Sequence, residues 1–185
     1  MSGIGHNSGR VDEPGKSWRT HVWAKARQQL MPKLPIEVIR RRVARAKELG
    51  LPYKTYAGLR AASGDDLIGF MFSNNALDVL RRSDAVPTPK ADKLSALKDT
   101  RTLGVVHAPI EPTQLVPPLE AAFNAPKPLA PWVQTRAELR NVFAAAGTPS
   151  SRVVLICETE LEREWAEAGR MAGVLSASQY FEATP

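Results

Sequence analysis

Two short runs of unbroken hydrophobicity decide what this chain can fold into. Leu67-Ile68-Gly69-Phe70-Met71-Phe72 and Val153-Val154-Leu155-Ile156-Cys157 are of strand length, and Thr102 to His107 is a third segment of the same kind. Apolar residues follow one another in these runs and do not alternate with polar ones. A strand built from them hides both faces, as strands do in parallel sheets covered by helices on either side. Helical patterns lie around them. Thr159-Glu160-Leu161-Glu162 has capping-box spacing, and Leu161, Trp165, Ala168 and Ala172 then form one stripe. Thr135-Arg136-Ala137-Glu138 repeats the device before Leu139, Val142, Phe143 and Ala146, with Gly147 and Pro149 as a stop. Ser73-Asn74-Asn75 offers capping chemistry for a helix over Ala76 to Leu80. The expected fold is α/β: a small three-stranded, mainly parallel sheet with flanking helices, preceded by a basic N-terminal helical region.

Charge divides the chain in the same place. Residues 1–64 carry 13 Lys/Arg against 4 Asp/Glu, and residues 65–185 carry 12 against 15, so balances of +9 and −3 make up the net +6. The expected organisation is a disordered tail over 1–16, a basic helical region over 17–64 and an α/β domain over 65–185. Proline-rich connections fall at 83–90 and 109–131; the second, with seven prolines, should be extended and stiff, with room for a short helix at Leu119 to Asn124. Ser17 to Met31 reads as one helix. Ile36, Ile39, Val43 and Ala46 give the next helix an apolar stripe, and Gly50 with Pro52 ends it. Tyr53 to Ser63 is a short helix stopped by Gly64.

Composition removes several classes of function. Cys157 is the sole cysteine, which excludes an internal disulfide and a multi-cysteine metal site and fits a reducing cytoplasm. No run approaches the ~18 apolar residues of a membrane span. The opening nine residues lack the n- and h-regions of a signal peptide. There is no G-x-G-x-x-G after a strand, no P-loop, no His-x-x-x-His and no G-x-S-x-G. A cytoplasmic protein with neither cofactor nor metal is expected.

Two local resemblances stand beside this. Met1-Ser2-Gly3-Ile4-Gly5-His6-Asn7-Ser8-Gly9 resembles the N-termini of some uncharacterised bacterial and prophage-associated proteins, and implies no activity. Ala46 to Thr55 (AKELGLPYKT) resembles the helix–turn–helix junction of ribbon-helix-helix antitoxins, which implies a helix ending at Gly50 and another opening at Pro52-Tyr53. Where that family places its DNA-reading strand, this chain has Pro32 and Pro35, so the resemblance extends to the turn alone.

Two constellations could carry function. The first is the basic helix: Arg40, Arg41, Arg42, Arg45 and Lys47, with Lys54 and Arg60 beyond, put charge opposite an anchoring stripe, as phosphate contact requires. A solvated helix whose arginines pair with Glu37, Glu48 and the acidic half is the competing account. Trp18, Trp23, Tyr53 and Tyr56 could stack on bases or simply pack between helices. The second lies at the carboxyl ends of the strands, where open α/β sheets bind ligands: Ser73 with Asn74 and Asn75, then His107, then Cys157 with Glu158 and Thr159. His107 and Cys157 could form a base–nucleophile pair, although a cysteine ending an apolar strand is usually a small core residue. Glu158, Glu160, Glu162, Glu164 and Glu167 fit a helix dipole better than a metal. The expected function is that of a non-catalytic bacterial accessory or regulatory protein binding nucleic acid through the basic helix. The alternatives are an interaction module docking that helix on an acidic protein, and a small α/β enzyme acting on an anionic ligand at the strand ends.

Overall fold

The structure, a computed structural model, describes residues 34–183; the tail expected over 1–16 and the helix expected over 17–31 lie outside the described residues. The chain divides into two compact units, Met1–Ile39 and Arg40–Pro185. Of the first, the described part is Leu34, Pro35 and the opening turn of helix α1 (Ile36–Glu48).

Helix α1 stops where the sequence says it should. Gly50 takes φ +63°, a left-handed conformation that disfavours any side chain, and Leu51 N–H reaches back to Ala46 O at 2.9 Å. Pro52 then opens α2 (Tyr53–Ser63), which ends at Gly64.

The sheet has five strands, not three. They are β1 (Gly69–Ser73), β2 (Arg101–Val106), β3 (Ala121–Asn124), β4 (Val153–Cys157) and β5 (Gly173–Ser176). Their order is β3-β2-β1-β4-β5, and every pairing is parallel. The three expected strands are the central ones. The other two are four-residue edges: β3 pairs Leu103↔Ala121 through Val106↔Asn124, and its Ala-Ala-Phe-Asn sequence is too small and too short to stand out from a proline-rich stretch. The helix expected at Leu119 to Asn124 is therefore a strand, preceded by a single 3₁₀ turn at Pro112–Leu115. Strand β5, Gly-Val-Leu-Ser, is not singled out by the sequence, whose apolar stripe carries the preceding helix to Ala172, whereas that helix ends at Ala168.

Alternate residues of each strand face opposite layers. Phe70, Phe72, Val154 and Ile156 share one core with Leu49, Leu51, Tyr56, Leu94 of α3 (Thr88–Ser95), Leu115 and Tyr180 of α6 (Ala177–Phe181). Met71, Leu103, Val105, Val153, Leu155 and Cys157 pack against α4 (Trp132–Ala145) and α5 (Glu160–Ala168) through Leu139, Val142, Phe143 and Trp165. Hydrophobic burial on both faces is what the unbroken runs require, at about 1.5–3 kcal/mol for each large side chain.

Two helix starts differ from expectation. Helix α4 begins at Trp132, with Gln134 N–H and Thr135 N–H both on Pro131 O (2.9 and 3.0 Å), so Thr135 sits inside the first turn and caps nothing. Ala76 to Leu80 is a series of turns and not a helix. Asp78 adopts φ +56°, and Asn74 Nδ2 donates to Val79 O at 2.8 Å, closing the loop on itself.

Candidate functional site

Strand β2 lies on one side of β1 and β4 on the other, so the chain changes direction across the carboxyl ends of β1 and β4. Such a switch leaves a crevice where loops diverge. Four segments meet there: the β1 end, His107 after β2, the β4–α5 junction and the first turn of α5.

Their meeting point is the carboxylate of Glu162. Helix α5 has a true capping box: Thr159 Oγ1 accepts from Glu162 N–H at 3.3 Å, and Glu162 Oε2 accepts from the backbone N–H of Thr159 and of Glu158, both at 3.0 Å. A capping glutamate usually lies at the surface, but this one is 1% exposed. Its other oxygen, Oε1, accepts from Asn75 Nδ2 at 2.9 Å and from His107 Nε2 at 3.1 Å. Ser73 supplies a further hydrogen bond, and its oxygen meanwhile accepts from Ala76 N–H at 3.1 Å. Burial by itself would raise the pKa of Glu162. The donors from His107, Thr159, Glu158 and Ser73 outweigh it and bring the pKa down to about 2.

An ionised carboxylate only accepts, so the His107 nitrogen facing it carries a hydrogen. In neutral His107 the lone pair is then on Nδ1, which has no hydrogen-bond partner among the described residues. The imidazole is held further by its backbone N–H on Asn74 Oδ1 (2.9 Å) and by the Trp165 ring at 5.2 Å. About a fifth of the side chain, 21%, remains exposed.

That exposed part borders a cavity of about 630 Å³. Leu80, Ile110, Leu129, Trp132, Leu161 and Trp165 are its larger apolar side chains, and Asn74, Asn75, His107, Lys127, Thr135, Thr159 and Glu164 are its polar lining. A second cavity, of about 700 Å³, lies across Asn75, Leu80 and Thr159, which border both. There Lys90 bonds Asp78 at 2.7 Å and Ala76 O at 2.8 Å, with its ammonium 5.0 Å over the Phe181 ring.

Of the residues expected at the strand ends, Ser73, Asn75, His107, Glu158 and Thr159 all converge on Glu162. Cys157 does not. Its thiol is 1% exposed, lies 4.0 Å from Leu175 O and is pushed up to about 12 by burial and then by the charge of Glu162. A thiol kept protonated is a weak nucleophile, and the partner of His107 is the carboxylate. The sequence did not single out Glu162 as a hub, nor Trp132, Trp165, Lys127 or Thr135 as cavity lining. The one available signal was the capping box directly after the strongest strand, which places its glutamate at a strand end.

The basic residues separate into two groups. Arg45 is structural: it pairs with Glu48 at 2.8 Å and donates to Leu67 O and Asp99 O, each at 3.1 Å. Arg42 and Arg60 are half-buried near Tyr56, whose hydroxyl donates to Asp66 at 2.6 Å. The Tyr56 hydroxyl is pushed up to about 12 by burial and then by Asp66, against the opposing pull of Arg60 and Arg42. Arg40, Arg41, Lys47 and Lys54 are exposed. Tyr56 is core and Tyr53 is 37% exposed, while Trp18 and Trp23 lie outside the described residues.

Among the described residues no helix is long and apolar enough to cross a membrane, and no group of three or more His, Cys, Asp or Glu could hold a metal ion. No family model, curated relative or solved structure matches the chain.

Proposed function

We propose that the Arg40–Pro185 unit is a small-ligand domain of enzyme type, with His107 as its acid–base group at the cleft over β1, β2 and β4. The observation that carries this is the buried, ionised Glu162 bonded to His107 Nε2. A carboxylate in that position fixes the tautomer, leaves the lone pair of Nδ1 available as a base and serves as counter-ion when the ring takes a proton. Ligand-observed NMR with a library of small metabolites to find binders, followed by protein-observed NMR of the His107 ring, tests it. Compounds that bind the wild-type chain should shift the His107 ring resonances and lose affinity in His107→Ala. If every compound that binds leaves His107 unmoved and binds the variant equally, the proposal fails.

A second function rests on the exposure of Arg40, Arg41, Lys47 and Lys54: a nucleic-acid contact through the basic face. Engagement of three or four phosphates gives a log–log salt slope of roughly −3 on duplex DNA, falling towards zero when all four residues become Gln. A wild-type chain that passes unretained over duplex DNA at about 50 mM salt refutes it, since even non-specific electrostatic binders are held there. Retention of an acidic protein in its place would assign the same face to a protein partner.

A further inference from the structure

We propose that a second site, towards the other end of the sheet from His107, binds a phosphomonoester group through Arg136, Arg140 and Arg170. These three arginines border one cavity of about 310 Å³, between α4 and the end of α5, which Phe143 and Ser150 also line. Ser150 stands just before β4 begins, so the cavity lies towards the amino ends of the strands, and it shares no lining residue with the His107 cleft. None of the three guanidinium groups makes a hydrogen bond or an ion pair among the described residues, and no carboxylate borders the cavity. Arg45, Arg101 and Arg163, by contrast, each hold a glutamate.

The chain gathers these charges against local preference. Arg136 and Arg140 stand one turn apart on α4, and like charges at that spacing weaken a helix. Arg170 is the plainer case. Helix α5 closes in a Schellman motif, with Met171 N–H on Ala166 O at 2.8 Å and Arg170 N–H on Glu167 O at 3.1 Å. The left-handed position of that motif normally falls to glycine, yet here it is Arg170, at φ +52°. Glycine stands one place earlier, at Gly169, where a Cβ would lie 3.0 Å from Trp165 O. Ser150 Oγ donates to Arg170 O at 3.4 Å, which ties down the backbone that carries the guanidinium. A strained residue and a repelling pair, on separate elements, thus serve one space, and a bound anion offsets both. The carbonyl end of α5 supplies about half a negative charge there, so the balance of the cavity is roughly +2.5. An arginine presents a planar, permanently charged fork that grips two phosphate oxygens at once. The dianion of a phosphomonoester suits that balance better than the single charge of a carboxylate or a phosphodiester. At about 310 Å³ the space is at the lower limit for a ligand cavity, enough for the phosphoryl group and little of what bears it.

Methyl phosphate and dimethyl phosphate present the same group with two charges and with one at neutral pH. Each is titrated into the full chain at low salt, followed by the backbone amides of Ser150, Gly169 and Arg170 and the Nε–H resonances of the three arginines. The expected result is that methyl phosphate moves these signals and binds at least about tenfold more tightly than dimethyl phosphate. Arg140→Gln, an exposed change that keeps a good helix former, should abolish that preference. Arg170→Gly should abolish it too, while raising the melting temperature by about 2–4 °C, because it removes the charge and relaxes the backbone together. A neutral peptide bearing one phosphoserine separates the two sources of the group: binding tighter than that of methyl phosphate assigns a phosphorylated chain, and equal or weaker binding a free metabolite. Equal affinity for the two esters, affinity unchanged in both variants, or no movement at Ser150, Gly169 and Arg170 at millimolar methyl phosphate would each overturn the site. The His107 cleft takes no part in these measurements, so their failure leaves its reading standing.

Discussion

Replacing Glu162 by Gln removes one charge and alters nothing in size, so its cost measures what the five donors around that carboxylate contribute. The folded chain lowers the group from an ordinary 4.5 to about 2. Each unit of that difference corresponds to about 1.4 kcal/mol, so the ionised form adds on the order of 3 kcal/mol to stability at pH 7. The sign follows from the direction. A depressed carboxyl contributes its full amount above the unfolded value and loses it as pH falls from about 4.5 towards 2, leaving about 1 kcal/mol at pH 3. Glutamine offers one acceptor where the carboxylate has two oxygens, and it sets an NH₂ group against donors already in place. Urea unfolding of wild type and Glu162→Gln, followed by far-UV circular dichroism at pH 7 and pH 3, tests this directly. The gap between the two proteins should be about 3 kcal/mol at pH 7 and shrink to about 1 kcal/mol at pH 3, and a loss of about 6–12 °C in melting temperature should accompany it at neutral pH. A gap that does not change with pH would refute the account, because it would mean that shape and not charge is what Glu162 contributes.

Other expectations are simpler to state. Cys157 should resist thiol reagents in the native chain, and Cys157→Ser should cost about 1–3 kcal/mol in denaturant unfolding by burying a hydroxyl without a good partner; rapid native-state labelling would contradict this. Gly69→Ala should destabilise by about 3 kcal/mol or more or abolish soluble expression, because a Cβ there would lie 2.2 Å from Arg101 O, a backbone atom of the paired strand that cannot step aside; an unchanged melting temperature would show the approach is not that close. Arg45→Gln should cost about 2 kcal/mol by stripping charged donors from Leu67 O and Asp99 O, and wild-type stability in its unfolding curve would return Arg45 to the basic face.

The central strands were legible because burial on both faces writes itself as uninterrupted hydrophobicity. Val153–Cys157 was found to the residue, and β1 and β2 to within two. The edge strands were not, because an edge of four residues needs few apolar side chains: β3 is held by ladder bonds to β2, which any sequence can make. Side-chain closure explains the turn at Ala76 to Leu80, where Asn74 donates its Nδ2–H to Val79 O and its oxygen accepts from His107 N–H, leaving no acceptor to cap a helix. The site was half visible. Strand ends named Ser73 and His107, but the residue joining them belongs to the following helix, and a capping box looks the same in sequence whether its glutamate faces water or the interior. Trp132 and Thr135 entered the cleft only through the packing of α4, a matter of tertiary geometry.

The central place of β1 in the order β3-β2-β1-β4-β5 also governs how the chain is made. Parallel neighbours cannot close as local hairpins, and β1 gains its second neighbour only when Val153 has been synthesised, after β2, β3 and α4. At ribosomal speeds of about 5–20 residues per second, one long edge of Gly69–Ser73 stays open on the order of ten seconds. During that interval Phe70, Met71 and Phe72 have no cover on that side, and β4 acts as the latch that ends the exposure. Substitutions in Val153–Cys157 should therefore lower the yield of soluble chain well beyond what they take from the melting temperature of the molecules that finish folding.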